Sequence, residues 1–105
     1  MWLMLSLVSG LSASSVAAPS FPVVMSTEYC WAESDCAEVE WTFFEDGTGV
    51  DEFDNEARWR LRRGNLRWEY TGTRTTYFGS FESDCITGEM RRLDGDLGTF
   101  TACQE

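Results

Sequence analysis

Apolar and polar residues alternate along the second half of the chain, from Ala57 to Cys103, and short turn sequences interrupt the alternation at regular intervals. Successive side chains of a β-strand point to opposite faces, so this pattern predicts strands with one buried and one solvated face. No proline follows Pro22, and every backbone N–H in this half can therefore join a strand ladder. The pattern predicts an antiparallel β-meander built from tight hairpins.

Four turn sequences set the predicted register of the meander. The first, Arg63-Gly64, contains a glycine that can adopt the positive φ of a tight hairpin turn, and it sets Trp59 opposite Trp68. The other turns lie at Thr73-Arg74, at Ser83-Asp84 and around Asp94. They set three further pairs opposite one another: Tyr70 and Tyr77, Phe81 and Ile86, and Ile86 and Ala102.

This register sorts the side chains onto two faces. The predicted buried face has no charged residue and carries Ala57, Trp59, Leu61, Leu66, Trp68, Tyr70, Tyr77, Gly79, Phe81, Ile86, Gly88, Met90, Gly98, Phe100 and Ala102. The predicted outer face is polar, and Phe78 is the one large apolar residue on it. A slip of one residue in any strand would bury its charges, so the faces are strongly specified.

The four cysteines fit a disulfide framework better than a zinc site, because no CxxC pair occurs. Cys85 and Cys103 fall directly opposite on the outer face, at the Cα separation of about 4.5 to 5.5 Å that a disulfide accepts. By elimination, Cys30 pairs with Cys36, although the residues around Cys36 could instead lie beside the last strand.

Further strand signals precede the meander. Val39, Trp41 and Phe43 alternate towards a turn at Asp46-Gly47, after which Val50 and Phe53 return with the opposite parity. A β-bulge near Gly49 would set Val50 opposite Phe43 and Phe53 opposite Trp41. The chain is then an all-β protein of about seven antiparallel strands, which we expect to close into a small barrel, the alternative being a two-layer sandwich.

The beginning of the chain has the profile of a signal peptide. An apolar run, Trp2–Val8, precedes the uncharged small-residue tract GLSASSVAA, and cleavage after Ala17 fits the residues that the peptidase reads. The run is shorter than the roughly 20 residues of a membrane span. We therefore predict a signal peptide at 1–17, an N-terminal segment with a local disulfide at 18–38 and a meander domain at 39–105. Export to the periplasm or the exterior would also place the four cysteines in an oxidising compartment, where disulfides form.

Composition excludes several functions. The chain has 18 acidic and 8 basic residues and a formal net charge of -10, which makes nucleic acid a poor partner. All eight basic residues are arginine, so there is no histidine-based triad, no histidine metal site and no lysine Schiff base. The acidic residues fall on outer faces and in loops, without an apolar pocket that could raise the pKa of one carboxyl group for catalysis. We predict no enzyme activity, no cofactor and no metal.

The inner aromatic residues form the first candidate site, at Trp59, Trp68, Tyr70, Tyr77 and Phe100. They neighbour two strand glycines, Gly79 and Gly88, and one interpretation is that the rings simply pack over the glycines. The alternative is an apolar pocket at the mouth of the barrel, with the two tyrosine hydroxyls orienting a small apolar ligand.

The outer face supplies the second candidate site, at Arg58, Arg60, Arg62, Arg67 and Phe78. Arginine and exposed aromatic residues are common at protein interfaces, and the alternative is a solvated face whose arginines are ion-paired. From Glu28 to Glu56 there are eleven acidic residues and no basic one, so we expect the two halves of the chain to complement each other's charge.

The acidic segment DGTGVDEFDNE, at 46–56, offers oxygen ligands for calcium at Asp51, Glu52, Asp54, Asn55 and Glu56. The spacing of an EF-hand is absent, and we predict a solvated acidic loop.

Three motifs of the meander carry a resemblance: YxGxF at Tyr77–Phe81, IxGxM at Ile86–Met90 and GxFxA at Gly98–Ala102, with WTFFEDGTG before them. The string resembles small exported bacterial β-meander proteins of a lipocalin-like type. The resemblance implies a hairpin-built barrel and transfers no catalytic residue.

The sequence therefore predicts a secreted or periplasmic, non-enzymatic β-module. The leading hypothesis is that it binds a protein partner through the outer face, and the alternative is a lipocalin-like carrier of a small apolar ligand.

Overall fold

Eight β-strands make up the part of the chain that the computed structural model describes, residues 20–32 and 35–105, and no helix occurs within it. The strands are β1 (Val23–Ala32), β2 (Asp35–Phe43), β3 (Thr48–Asp51), β4 (Glu56–Arg62), β5 (Asn65–Tyr70), β6 (Thr76–Glu82), β7 (Cys85–Arg91) and β8 (Leu97–Gln104). The predicted signal peptide lies outside the described residues.

Consecutive hairpins join the strands, and β8 returns to pair with β1, so the sheet is a closed antiparallel barrel. The predicted all-β barrel is confirmed, with eight strands where the sequence indicated about seven. The barrel also begins upstream of Val39, because β1 pairs with β2 through Met25 and Trp41 and with β8 through Thr27 and Ala102. Closure leaves the sheet without a free edge.

Three of the predicted hairpins have the expected register. Trp59 faces Trp68 across β4 and β5, Phe81 faces Ile86 across β6 and β7, and Ile86 faces Ala102 across β7 and β8. In the β4–β5 turn both Arg63 and Gly64 have positive φ, at 50° and 79°. This is the backbone geometry of the two-residue turns that match the twist of paired strands.

The predicted register between β5 and β6 is wrong by two residues: Tyr77 lies opposite Trp68 and not opposite Tyr70. The hairpin closes at Tyr70, whose N–H donates to the carbonyl of Thr75 at 2.9 Å. Arg74, just before that point, has a φ of 63° and its N–H donates back to Tyr70. The longer loop takes up two residues, and because side chains alternate with period two, every residue keeps its predicted face.

The predicted bulge in β3 is also wrong. Trp41 lies opposite Asp51 and Phe43 opposite Gly49, without a register shift, and Phe53 is 67% exposed in the loop that follows. Gly49 occupies an inward position opposite Phe43, and the Trp68 ring fills the space that a side chain would need, since a Cβ would lie 2.6 Å from Trp68 Cζ3. The inward positions of β3 are therefore occupied by Gly49 and by Asp51, whose carboxylate is hydrogen-bonded.

Aromatic rings fill the middle of the barrel. Trp41 and Trp68 are fully buried and stack in parallel, with ring centroids 4.3 Å apart and planes 8° apart. Phe100 covers Gly79, where a Cβ would lie 2.9 Å from its Cζ. The buried apolar residues are Met25, Val39, Trp41, Phe43, Ala57, Leu66, Trp68, Tyr77, Ile86, Met90, Phe100 and Ala102.

Two residues of the predicted buried face are exposed: Leu61 by 46% and Phe81 by 43%. Each has the inward parity of its strand, but each lies beside a hairpin turn, where the strands project past the packed interior. The alternation therefore predicts correctly which side of the sheet these side chains occupy. They are exposed because they lie at the end of the barrel, beyond the packed interior.

Both predicted disulfides are present, Cys30–Cys36 and Cys85–Cys103. The first links β1 to β2 and the second links β7 to β8, so the two hairpins that meet where β8 pairs with β1 are each crosslinked. Two disulfides in so small a domain are consistent with an extracellular or periplasmic location.

Candidate functional site

A concave cavity opens at the end of the barrel that carries the β3–β4, β5–β6 and β7–β8 loops. Its volume is about 550 Å³, and we call it the mouth. Its lining residues are Tyr29, Trp31, Val39, Asp51, Phe53, Asp54, Asn55, Glu56, Tyr70, Thr71, Gly72, Thr73, Thr75, Tyr77 and Arg92. Aromatic side chains and polar groups of both charges thus meet at one end of the molecule.

A hydrogen-bonded chain connects the mouth to the core. Trp41 Nε1–H donates to Tyr70 Oη at 2.9 Å, and the Tyr70 hydroxyl donates to Asp51 Oδ2 at 3.1 Å. Asp51 is buried, and its carboxylate also accepts from Phe53 N at 2.9 Å, from Asn55 N at 2.9 Å and from Asn55 Nδ2 at 3.1 Å. Both carboxylate oxygens therefore have two protein donors each, which compensates for the burial of the charge.

The two mouth tyrosines are held in the neutral form. Burial raises the pKa of Tyr70, and the nearby Asp51 carboxylate raises it further. Burial also raises the pKa of Tyr77, with a smaller contribution from Tyr29, while Arg92 acts in the opposite direction. Tyr77 is 3% exposed, and none of the described residues forms a hydrogen bond with its hydroxyl.

The rim of the mouth is electrostatically divided. On the side of β1 and the β7–β8 loop, the Arg92 guanidinium lies over the Trp31 ring, with Cζ 3.8 Å from the ring centroid. Arg92 also reaches Asp96, with Nη1 3.5 Å from Oδ2. Across the opening lie the exposed acidic residues Asp54 and Glu56 of the β3–β4 connection.

Four of the five inner residues predicted as a ligand site are in contact, with ring centroids 5.9 Å apart for Trp68 and Tyr70, 6.0 Å for Tyr70 and Tyr77 and 5.2 Å for Tyr77 and Phe100. They do not line one cavity together. Tyr70 and Tyr77 line the mouth, whereas Trp68 and Phe100 belong to the packed core. Trp59 lies at the opposite end of the barrel, where its indole N–H donates to the carbonyl oxygens of Phe44 and Thr48, each 2.9 Å from Nε1.

Of the mouth residues, Tyr70 and Tyr77 alone were predicted as ligand-site residues, and those missed include Tyr29, Trp31, Asp51 and Arg92. The predicted bulge assigned Asp51 to the acidic loop. The alternation of Met25, Thr27, Tyr29 and Trp31 in β1 was the available signal for the first two. Arg92 lies in a loop, where periodicity gives no information about direction.

The outer-face residues Arg58, Arg60, Arg62, Arg67 and Phe78 do share one surface, which we call the arginine face. Arg60 lies directly opposite Arg67, and the Arg67 guanidinium lies 5.6 Å from the centroid of the Phe78 ring. Phe78 is 46% exposed.

Ion pairs on the arginine face converge on a single acid. Glu69 pairs with Arg67 at 3.1 Å and with Arg74 at 2.8 Å. Within residues 20–32 and 35–105, Arg58, Arg60 and Arg62 have no ion-pair partner. The expected pairing between the acidic and basic halves of the chain is therefore not found as salt bridges there, although β3 pairs with β4 and, beside the hydrogen bonds from Thr48, the charge of Arg58 helps to lower the pKa of Asp46.

No group of three or more potential ligands that could hold a metal ion occurs among the described residues. In the acidic segment, Asp51 is buried and directed into the protein, while Glu52, Asp54, Asn55 and Glu56 are exposed. Two hydrogen bonds from Thr48 lower the pKa of Asp46.

No family model matches the chain, and neither curated proteins nor solved structures yield a match. In the described part of the chain, no helix has the length and hydropathy needed to cross a membrane.

Proposed function

We propose that this protein is an exported, non-enzymatic β-barrel that binds a small molecule with an aromatic or apolar body in its mouth. The observation that carries the proposal is the mouth cavity of about 550 Å³, which has the size of a small-molecule site. Its walls combine aromatic rings with the Tyr77 hydroxyl, which has no hydrogen-bond partner among the described residues. The predicted signal peptide and the two disulfides support export.

Rigidity of the site favours this function over a catalytic one. Asp51 is the buried carboxylate of the mouth, and protein donors occupy both of its oxygens. A general base must be free to reach the proton that it removes. The network instead holds Tyr70 and the β3–β4 loop in place, which preorganises a binding cavity.

The test is an NMR titration of the oxidised protein with 2-naphthamide, a neutral aromatic probe. We expect amide shift changes confined to mouth residues, with affinity reduced several-fold by Phe53→Ser. The matched control is Phe78→Ser, which removes an exposed phenylalanine from the arginine face and leaves the probe's affinity unchanged. Shift changes scattered over the surface, or equal effects of the two variants, would contradict the proposal.

A second candidate function is recognition of an acidic protein surface by the arginine face. Arg58, Arg60 and Arg62 lack ion-pair partners among the described residues, and Phe78 offers an apolar contact beside them. Arginine forks bind carboxylates in a bidentate manner. The same two variants then exchange roles: Phe78→Ser weakens binding of a glutamate-rich peptide and Phe53→Ser does not.

A further inference from the structure

The mouth has unused hydrogen-bond donors, whereas protein donors occupy both oxygens of its buried carboxylate, Asp51. The Asp51 oxygens accept four hydrogen bonds, and the Tyr70 hydroxyl both accepts from Trp41 and donates to Asp51. The Tyr77 hydroxyl and the N–H edge of Arg92 retain donor capacity. A ligand that enters the mouth beside these groups is therefore stabilised by presenting acceptors to them.

These donors lie on one side of the mouth. Tyr29 is paired across strands with Phe100, whose ring centroid lies 5.2 Å from that of Tyr77. Trp31 lies at a register shift near the end of β1, packs against the core and carries the Arg92 guanidinium. The influence of both Tyr29 and Arg92 on the pKa of Tyr77 agrees with this proximity.

Arg92 is suited to an anionic group. Stacking on Trp31 orients the plane of the guanidinium, and Nη1 lies 3.5 Å from Asp96 Oδ2, while the other N–H groups of Arg92 have no ion-pair partner among the described residues. A guanidinium held in this way matches the geometry of a carboxylate. The carboxylates of Asp51, Asp54 and Glu56, which also line the mouth, repel an anion, so they favour a ligand whose single charge lies at Arg92 and whose body is neutral.

We propose that the mouth selects small aromatic monocarboxylates, with the carboxylate bound by Arg92 and the Tyr77 hydroxyl and the ring against Trp31 and Val39. This inference rests on the proposed function and names the ligand class of the same site. A dicarboxylate is disfavoured, because its second charge would face the acidic side of the rim.

The experiment compares 2-naphthoate with 2-naphthamide, which has the same shape and no charge, by NMR titration at low salt. We expect naphthoate to bind about ten-fold tighter, a typical effect of one charge-assisted hydrogen-bonded pair. Arg92→Gln reduces the preference for naphthoate over naphthamide to less than about two-fold. Arg92→Lys keeps part of the preference, and Tyr77→Phe lowers naphthoate affinity more than naphthamide affinity.

The matched control is Arg58→Gln on the arginine face, which removes the same charge and leaves the preference unchanged. Equal binding of the two probes at the mouth would overturn the ligand class and leave the proposed function intact. A preference that survives Arg92→Gln would overturn the assignment to Arg92. Failure of both probes to perturb mouth residues would overturn the proposed function itself. Amide spectra of each variant show whether the barrel is folded.

Discussion

At the scale of single residues, Asp51 connects the stability of the barrel to the shape of its mouth. Its carboxylate binds the backbone of the β3–β4 loop through Phe53 and Asn55 and binds the hydroxyl of Tyr70. The loop and the tyrosine are two walls of the mouth. A change at this residue therefore affects both folding and binding.

We expect Asp51→Asn to lower the free energy of unfolding by about 2 to 3 kcal/mol, since hydrogen bonds to a charged group are lost and the new amide N–H faces other donors. Urea denaturation followed by tryptophan fluorescence measures the loss. Asp54→Asn is the control: Asp54 is exposed in the same loop, and its φ of 66° is one that asparagine tolerates. Equal stability of the two variants would show that the Asp51 network contributes little.

The packing around Gly79 leaves no room for a side chain. A Cβ there would lie 2.6 Å from the carbonyl oxygen of Thr87 and 2.9 Å from Phe100 Cζ. We expect Gly79→Ala to destabilise the protein by about 2 kcal/mol, as overpacking does in well-packed cores. Gly72→Ala, with no atom within 4 Å of its new Cβ, should be close to neutral in the same denaturation experiment. A Gly79 variant as stable as the Gly72 variant would mean that β6 and β7 can separate at low cost.

At the scale of elements, the hairpins differ in how well local sequence specifies them. The turns at Arg63-Gly64 and Ser83-Asp84 have two residues, and their register follows directly from the alternation on both sides. The β5–β6 loop is longer, and its closing residues, Tyr70 and Thr75, are chosen by backbone hydrogen bonds that alternation does not reveal. The face of each residue was predictable there, whereas the pairing was not.

The two crosslinked hairpins allow a comparison of disulfides within one protein. Cys85–Cys103 closes a loop with a sequence separation of 18, and Cys30–Cys36 one with a separation of 6. Because the entropy removed from the unfolded chain grows with the logarithm of loop length, we expect loss of the first to cost about 1 kcal/mol more than loss of the second. Denaturation of the two double cysteine-to-alanine variants measures the difference. A greater cost for the shorter loop would show that native-state contacts, and not loop entropy, dominate.

At the scale of the whole molecule, the two neutral mouth tyrosines make the free energy of unfolding depend on pH in the alkaline range. The pKa of both Tyr70 and Tyr77 is raised by burial, whereas an unfolded tyrosine titrates near about 10. Below that pH both states hold the proton and stability is complete. Above it the unfolded chain loses protons that the folded protein keeps, so the free energy of unfolding falls as pH rises.

We expect the native protein to show delayed tyrosinate absorbance relative to the urea-unfolded protein, together with a loss of stability above about pH 10. Tyr77→Phe should reduce the slope of that loss with little change at neutral pH, because its hydroxyl has no hydrogen-bond partner among the described residues. Identical tyrosinate titrations of native and unfolded protein would contradict the raised pKa of these two tyrosines.

By itself, the sequence determined the all-β class, the facing of every strand from β4 to β8, three hairpin registers and the pairing of Cys85 with Cys103. These features depend on the two-residue period of a strand and on turn chemistry, which act between neighbours in the chain. Only the tertiary structure decided that β1 closes the barrel, that Gly49 and Asp51 point inward, and that Tyr29, Trp31 and Arg92 join the mouth. Those outcomes depend on contacts between strands that are not sequential neighbours, such as the Trp68 ring of β5 against Gly49 of β3.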